Sequence, residues 1–361
     1  MRYRTVVWLL AALAAGACAG EQATADVVEL FPIVQDGKWG YINKAGTIVI
    51  EPQHECAWDF TEGLARVQVN KRRGFIDKTG KMVVEPKYGM AWAFSEGLAA
   101  VFVGGQVWGD FMNLRGSGAW GYIDRTGKLV IRADFAKAGD FHEGFAATYK
   151  GDKWGFTDKD GKWAPLHGPG CRPGDFSQGL AAVSDGGKTP KWGYVNSEVK
   201  MVIETRFAGA GPFSEGLAAI AVAEETVTKD DKGTEKKTTV AKWGFMDKTG
   251  NIVIQPQFGN AGVFSDGLAG VQIKDNKWGC INKEGKVAIE PQFDFVAPFS
   301  EGKARVVSGG KHGFIDKTGR LVIEPKFQLA WDFSNGLARV ETEGKQAYLD
   351  KSGNCIWPPK R

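Results

Sequence analysis

Short apolar runs, each closed by a turn signal, follow one another along the chain from Val27 to Trp357. The run Trp120 to Asp124 is rich in aromatic and β-branched residues. The Asp-x-Thr-Gly turn after it supplies an Asp that closes the turn with its own side chain and a Gly where φ must be positive. This predicts a hairpin. Its second strand is another short apolar run, as in Lys81 to Glu85 or Arg320 to Glu324. That strand is predicted to stop at Pro52, Pro86, Pro256, Pro291 and Pro325, because proline cannot donate to a ladder. A compact linker of the form xFxxAxxFSEG follows. Leu-Ala-x-Val then begins a third strand, in which Ala65, Val67 and Val69 alternate with Leu64, Arg66 and Gln68. The predicted unit is a three-stranded meander, with strands such as Leu64 to Asn70, Gly74 to Asp77 and Lys81 to Glu85.

The meander repeats. Its type stretch is Trp243 to Val271, and the glycine of its Trp-Gly pair recurs as Gly40, Gly74, Gly121, Gly155, Gly193, Gly244, Gly279 and Gly313, with a degenerate copy at Ala347. The basic interval is 34 residues, lengthened to 47, 38 and 51 at three places. From each glycine to the phenylalanine of the FSEG-like motif (Phe60, Phe94, Phe141, Phe213, Phe264, Phe299, Phe333) the distance is 20 residues, and 21 to Phe176. Length freedom is therefore confined to the gap before the next Trp-Gly. One meander cannot bury both of its faces, so neighbours must stack. Trp39, Trp120, Trp154, Trp192, Trp243 and Trp278 are expected to form a buried ladder between units. Nine such units predict an all-β, open, curved repeat array. The alternative is a closed β-propeller, which ranks second because propellers usually have four to eight blades of four strands.

The repeats resemble those of the bacterial WG-repeat, or KWG-repeat, proteins. The likeness runs from about Asp36 to Trp357 and rests on KWGYINKAGTIVIEP at Lys38 to Pro52, GFIDKTGKMVVEP at Gly74 to Pro86 and the later FSEGLA segments. It implies an all-β repeat fold and exported or envelope-associated relatives, and it brings no catalytic residues to transfer. Some copies depart from the pattern. Arg73 and His312 replace the tryptophan, Gln346-Ala347 replaces the whole pair, and the fourth copy loses its second-strand motif between Trp163 and Gly170.

Composition changes this picture at the N-terminus. Arg2 and Arg4 precede an apolar run from Val6 to Ala15 and then small residues, the layout of an export signal over residues 1–25, ahead of a repeat array at 26–361. Cleavage after Ala19 or Ala25 and lipidation at Cys18, within the lipobox-like Ala15-Gly16-Ala17-Cys18, both fit. The formal charge of +4 falls by two once Arg2 and Arg4 leave with the signal, too small a surplus for a nucleic-acid footprint. Of the remaining cysteines, Cys56, Cys171, Cys280 and Cys355, no two have CxxC spacing. Buried apolar roles and a disulfide both remain open.

Candidate sites lie where the repeat is broken. Gly104 to Ala119 carries Trp108, Phe111, Met112 and Leu114 among glycines, side chains that either fold back on the array or offer a binding surface. Ala223 to Lys242 reads as a protruding β-arm around a charged turn. The turn residues Asp77, Asp124 and their counterparts supply at most one carboxylate each, which does not make a calcium site. The FSEG acids Glu62, Glu96, Glu143, Glu215, Asp266 and Glu301 read as a solvated turn face. The four histidines occupy unrelated repeat positions, so neither a metal site nor a Ser-His-Asp set is predicted. No cofactor is called for. The expected function is a non-enzymatic binding or scaffold role in the bacterial envelope, contacting protein or polysaccharide through edge loops. Membrane attachment is expected only through Cys18. An envelope hydrolase working at His167 and Cys171, and a structural spacer, are the alternatives.

Overall fold

The computed structural model describes residues 29–104, 118–168, 170–229 and 235–358, and its elements are all β-strands. Trp108, Phe111, Met112, Leu114 and Cys18 lie outside the described residues. The strands form nine antiparallel sheets, here blades 1 to 9 in chain order. Blade 2 is representative, with Cys56–Thr61, Leu64–Val69, Arg72–Asp77 and Met82–Tyr88 lying side by side in chain order as inner, second, third and outer strands. The names follow from packing, because inner strands of successive blades lie against one another and outer strands do not.

Two strand expectations need correction. The unit has four strands rather than three, because the linker before Leu-Ala-x-Val is itself the inner strand. Its four residues from Ala57 to Phe60 oppose only three, Val67 to Ala65, and this bulge hides the period of two. Nor does the outer strand stop at its proline: Ile48–His54 runs through Pro52. Tyr41 pairs with Ile50 and Trp39 with His54, so the outer strand bulges outward around the proline, where no N–H is needed. The Trp-Gly glycine sits in the crook of that bulge. A Cβ on Gly40 would fall 2.4 Å from the Ile50 carbonyl oxygen and 2.6 Å from the Pro52 nitrogen, so only glycine fits. The Trp-Gly and Glu-Pro motifs are the two halves of one bulge.

The expected tryptophan ladder is also corrected. Trp120 and Trp278 are buried, but Trp39, Trp154, Trp192 and Trp243 are only half-buried, packed against the apolar clusters between blades. Stacking between blades falls to the residue two places later, which meets the FSEG-type phenylalanine of the next blade. Tyr41–Phe60, Phe75–Phe94, Tyr122–Phe141, Phe156–Phe176, Tyr194–Phe213, Phe245–Phe264 and Phe314–Phe333 have ring centroids 4.7–5.0 Å apart.

The FSEG acids are clasps, not a free solvated face. The side chain at this position accepts a hydrogen bond from the matching glycine N–H of the following blade, Glu62 from Gly97, Glu143 from Gly179, Glu215 from Gly267 and Glu301 from Gly336. The neighbouring serine joins in: Ser95, Ser177, Ser214, Ser265 and Ser300 each donate to the next blade's phenylalanine carbonyl at 2.5–2.7 Å. Further out, the turn glycine of each hairpin lies against the outer strand of the preceding blade, as Gly80 on Ile50 and Gly319 on Ile289.

The turn-glycine contact recurs between blade 9 and blade 1, with a tyrosine hydrogen bond and a ring contact beside it, so the array is a closed ring of nine blades and the expectation of an open row is overturned. Gly46 lies against Ile356, Tyr348 donates to the Pro32 carbonyl at 2.9 Å, and the Phe31 and Tyr348 centroids are 5.5 Å apart. Closure follows from the constraint that made neighbours stack: the end blades of an open row would leave these apolar faces in water. The expected β-arm is present in blade 6, where Leu217–Lys229 and Glu235–Asp247 pair out to Lys229 and Glu235.

Two outcomes follow. Gly313→Ala, whose Cβ would meet the Ile323 carbonyl at 2.6 Å, should cost about 3 kcal/mol. Gly302→Ala in the same blade, with a positive φ but open space, should cost about 1 kcal/mol. Equal losses of unfolding midpoint would contradict the bulge argument. For Glu96, Glu215 and Glu301, burial pushes the carboxyl up, but the partner lysine (Lys159, Lys283 or Lys351) and the backbone amides together hold it below its ordinary range. A depressed folded pKa gives stability that is present above the unfolded pKa of about 4.3 and is lost as pH falls through the folded value. Thermal midpoints measured from pH 7 to pH 3 should therefore drop below about pH 4.5. The triple Glu→Gln variant should start lower and fall less.

Candidate functional site

The ring is not uniform. The residue two before the inner-strand phenylalanine is Gly139, Gly174, Gly211, Gly262 and Pro298-flanked Ala297 in blades 4 to 8, but Trp58, Trp92 and Trp331 in blades 2, 3 and 9. The variable place of Leu-Ala-x-Val is Ala100, Ala147, Ala182, Ala219 and Gly270 in blades 3 to 7, but Arg66, Arg305 and Arg339 in blades 2, 8 and 9. Those three blades are also the ones that lose the tryptophan of Trp-Gly, to Arg73, His312 and Gln346. The departures thus gather on one sector of the inner rim, running from blade 8 through blades 9 and 1 to blades 2 and 3.

There Arg66 and Arg339 lie on indoles, and Arg305 lies over the Phe295 ring. The Arg66 guanidinium is 4.0 Å from the Trp58 ring centre and 5.9 Å from that of Trp92, and Arg339 lies 4.0 Å from Trp331. Arg66 donates to the Ala91 carbonyl and Arg73 to the Gly89 carbonyl, which ties blade 2 to blade 3. Burial, reinforced by the neighbouring Arg73 charge, brings the Arg66 pKa down to about 10, against the pull of Asp140. It remains a cation at neutral pH. Trp92 stacks on Trp120 at 5.7 Å and donates through Nε1 to the Ala138 carbonyl. In blade 8, Arg305 pairs with Asp332 of blade 9 at 3.0 Å and shares a 3.3 Å hydrogen bond with His312 Nδ1. Burial and the Arg305 charge hold His312 below its usual range, so its ring is neutral at pH 7.

This arrangement presents an exposed indole, Trp331, beside oriented guanidinium donors and the exposed carboxylates Asp59 and Asp332. Such a surface holds a ligand by stacking and by charge-assisted hydrogen bonds. Among the described residues no group of three or more His, Cys, Asp or Glu is placed to hold a metal ion. The sector was legible in the repeat alignment, as three columns that change together, and was missed when each departure was taken singly.

The other predicted positions fall elsewhere. His167 and Cys171 come together between blades 4 and 5, at a cavity of about 290 Å³ lined also by Leu166, Val183, Val199 and Met201. The cavity opens where the outer strand of blade 4 shrinks to Trp163–Pro165. Cys171 Sγ donates to the His167 backbone carbonyl at 3.0 Å rather than to its imidazole, and burial, with Asp185 nearby, pushes the thiol up. That is the opposite of what a nucleophilic thiol requires. The four described cysteines are free. Turn carboxylates such as Asp77 and Asp316 are occupied in accepting their own turn's N–H and threonine hydroxyl.

A family model described as "WG containing repeat" matches residues 39–72, 74–106, 120–154, 192–222, 243–278, 278–311 and 313–345. Comparison with curated proteins finds no match. Among solved structures, the chain is similar to a eukaryotic initiation factor (12% identity, 91% of this chain and 94% of that one, TM-score 0.59). It is also similar to BamB from Moraxella catarrhalis (8% identity, 83% and 97%, TM-score 0.45) and to Hsv2 from Kluyvelomyces marxianus (12% identity, 67% and 85%, TM-score 0.39). The first likeness bears on the fold alone, and the other two carry no argument.

Burial of the thiols has a measurable result. Cys280, which burial pushes up to about 12, and Cys171 should resist iodoacetamide at pH 8 in the folded chain and react once it is denatured. Rapid alkylation of Cys171 in the folded chain, read by peptide mass mapping, would reopen the nucleophile reading.

Proposed function

The chain belongs to the family of WG-containing repeat proteins, and we propose that it is a non-enzymatic binding or scaffold protein of the bacterial envelope whose contact surface is the arginine–tryptophan sector of the inner rim. The observation that supports this is the coincidence of the departures. In blades 2 and 9, which flank blade 1 in the ring, the repeat gives up its own tryptophan and gains an arginine lying on a different one at the inner rim. A purely structural spacer has no use for such a sector, because blades 4 to 7 close equally well with glycine and alanine in the same columns. The export-like leader with Cys18 supports a place in the periplasm, at the outer membrane or on the cell surface. Stacking indoles and guanidinium donors suit a protein or a polysaccharide partner.

Cross-linking and capture from envelope extract tests the reading. Trp331→Ala with Arg339→Ala should reduce partner capture at least tenfold, while Val202→Ser on the exposed outer strand of blade 5 should leave it unchanged. Equal capture by all three chains would remove the inner rim from consideration.

A further inference from the structure

The junction of blades 4 and 5 departs from the other eight on its outer side. Elsewhere the turn glycine of each blade rests on the outer strand of the blade before it, as Gly127 on Val84 and Gly285 on Ile254. Here two changes coincide. The outer strand of blade 4 is cut to Trp163–Pro165, and the turn position of blade 5 holds Val199 in place of glycine. Val199 makes the usual turn bond, its N–H donating to the Asn196 carbonyl at 2.8 Å, and takes a φ of 58°. Among the described residues it is the one β-branched side chain at positive φ, a conformation such residues avoid.

Glycine makes the same turn without strain in the other blades, so the turn does not account for this side chain. Its packing does. Val199 lies against the buried cluster that contains Leu166, Cys171, Val183 and Val195, and these five with Met201 form the apolar wall of the cavity of about 290 Å³ between the two blades. An apolar cavity of about 150 Å³ stays dry and admits benzene, so this one has room for a body roughly twice as large. The wall also carries two hydroxyls, on Ser184 and Thr205. Ser184 is only 2% exposed, and its oxygen accepts from the Arg172 N–H at 3.0 Å. Among the described residues neither hydroxyl proton meets an acceptor. Asp185 supplies the one carboxylate of the lining, exposed to water and with its Oδ1 already accepting from the Gly187 and Lys191 N–H groups at 3.0 Å.

We propose that this cavity is a binding site for a small neutral molecule, with a compact aromatic or branched aliphatic body against Val183, Val195 and Val199 and a hydroxyl or carbonyl oxygen that accepts from Ser184 or Thr205. Neutrality follows from the lining. An anion would meet the Asp185 charge, and a cation would give up its water among apolar walls for a carboxylate that its own loop already engages. The strained Val199 is then part of the site: it closes a wall that the shortened outer strand of blade 4 leaves open, and strain of this kind persists where a function holds it. The cavity stands apart from the arginine–tryptophan sector, and the proposal does not depend on that reading.

The test uses the full chain, labelled at its valine and methionine methyl groups, titrated with 4-methylphenol, toluene, 4-methylbenzoate and 4-methylbenzylamine. Saturable binding of 4-methylphenol is expected, with methyl shifts gathered at Val183, Val195, Val199 and Met201. Toluene, which has no oxygen, should bind at least fivefold more weakly, and the two charged probes at least tenfold more weakly. Cys171→Phe fills the cavity and should abolish binding. Val199→Gly restores the turn residue of the other blades, so the fold is kept, and should weaken 4-methylphenol at least fivefold. Absence of saturable binding, shifts gathered elsewhere, toluene or a charged probe binding as well as 4-methylphenol, or a Val199→Gly chain that binds like the parent would each overturn the proposal. Should Cys171→Phe fail to fold, the Val199→Gly titration decides alone.

Discussion

A blade of three or four short strands has two apolar faces and can cover neither by itself. Everything else in this protein answers that constraint. Neighbouring blades are joined by an aromatic pair near the rim, a serine hydroxyl donating to a carbonyl and a carboxylate accepting from a glycine N–H, all three present at the junction of blades 8 and 9. A turn glycine, a tyrosine hydrogen bond and a ring contact join blade 9 to blade 1 and leave no end face in water, so a closed ring is the arrangement in which every copy has two neighbours.

Much of this was legible in the sequence. The 34-residue spacing counts the blades correctly, and the hairpin from Trp120 to Ile131 follows from its turn residues and β-branched runs. What escaped was hidden by bulges and by distance. The inner strand Cys56–Thr61 carries a bulge that sets Trp58 and Asp59 against Arg66 alone, so its apolar residues do not alternate, and the proline in Ile48–His54 reads as a stop unless the matching glycine is seen across the ladder. Closure depends on contacts between residues more than 300 apart, which no local pattern reports.

The functional sector was legible in another way. Arg73, His312 and Gln346 look like erosion of the motif when taken singly. Aligned with Arg66 and Arg339, and with Trp58 and Trp331, Arg73 and Gln346 become coordinated exchanges in which an indole leaves the third strand and appears on the inner rim under a guanidinium, while His312 goes with an Arg305 that lies over Phe295. Side-chain volume links the columns: an arginine in place of Ala or Gly leaves less room for the usual tryptophan, and the rim indole gives the new cation an aromatic face. Residues 105–117 carry the other aromatic cluster that the sequence singles out, and they lie outside the described residues.

The clasps have a consequence for how such a ring can change over time. Because the FSEG acid accepts from a backbone N–H, the clasp constrains that acid and its glycine and does not depend on the rim columns, which hold glycine or alanine in blades 4 to 7 where the same joint is made. Glycine, alanine, tryptophan or arginine at those places is compatible with the same joint. The ring therefore behaves as a fixed dial bearing nine replaceable characters, on which a new recognition pattern can be spelled one blade at a time while the frame stays as it is.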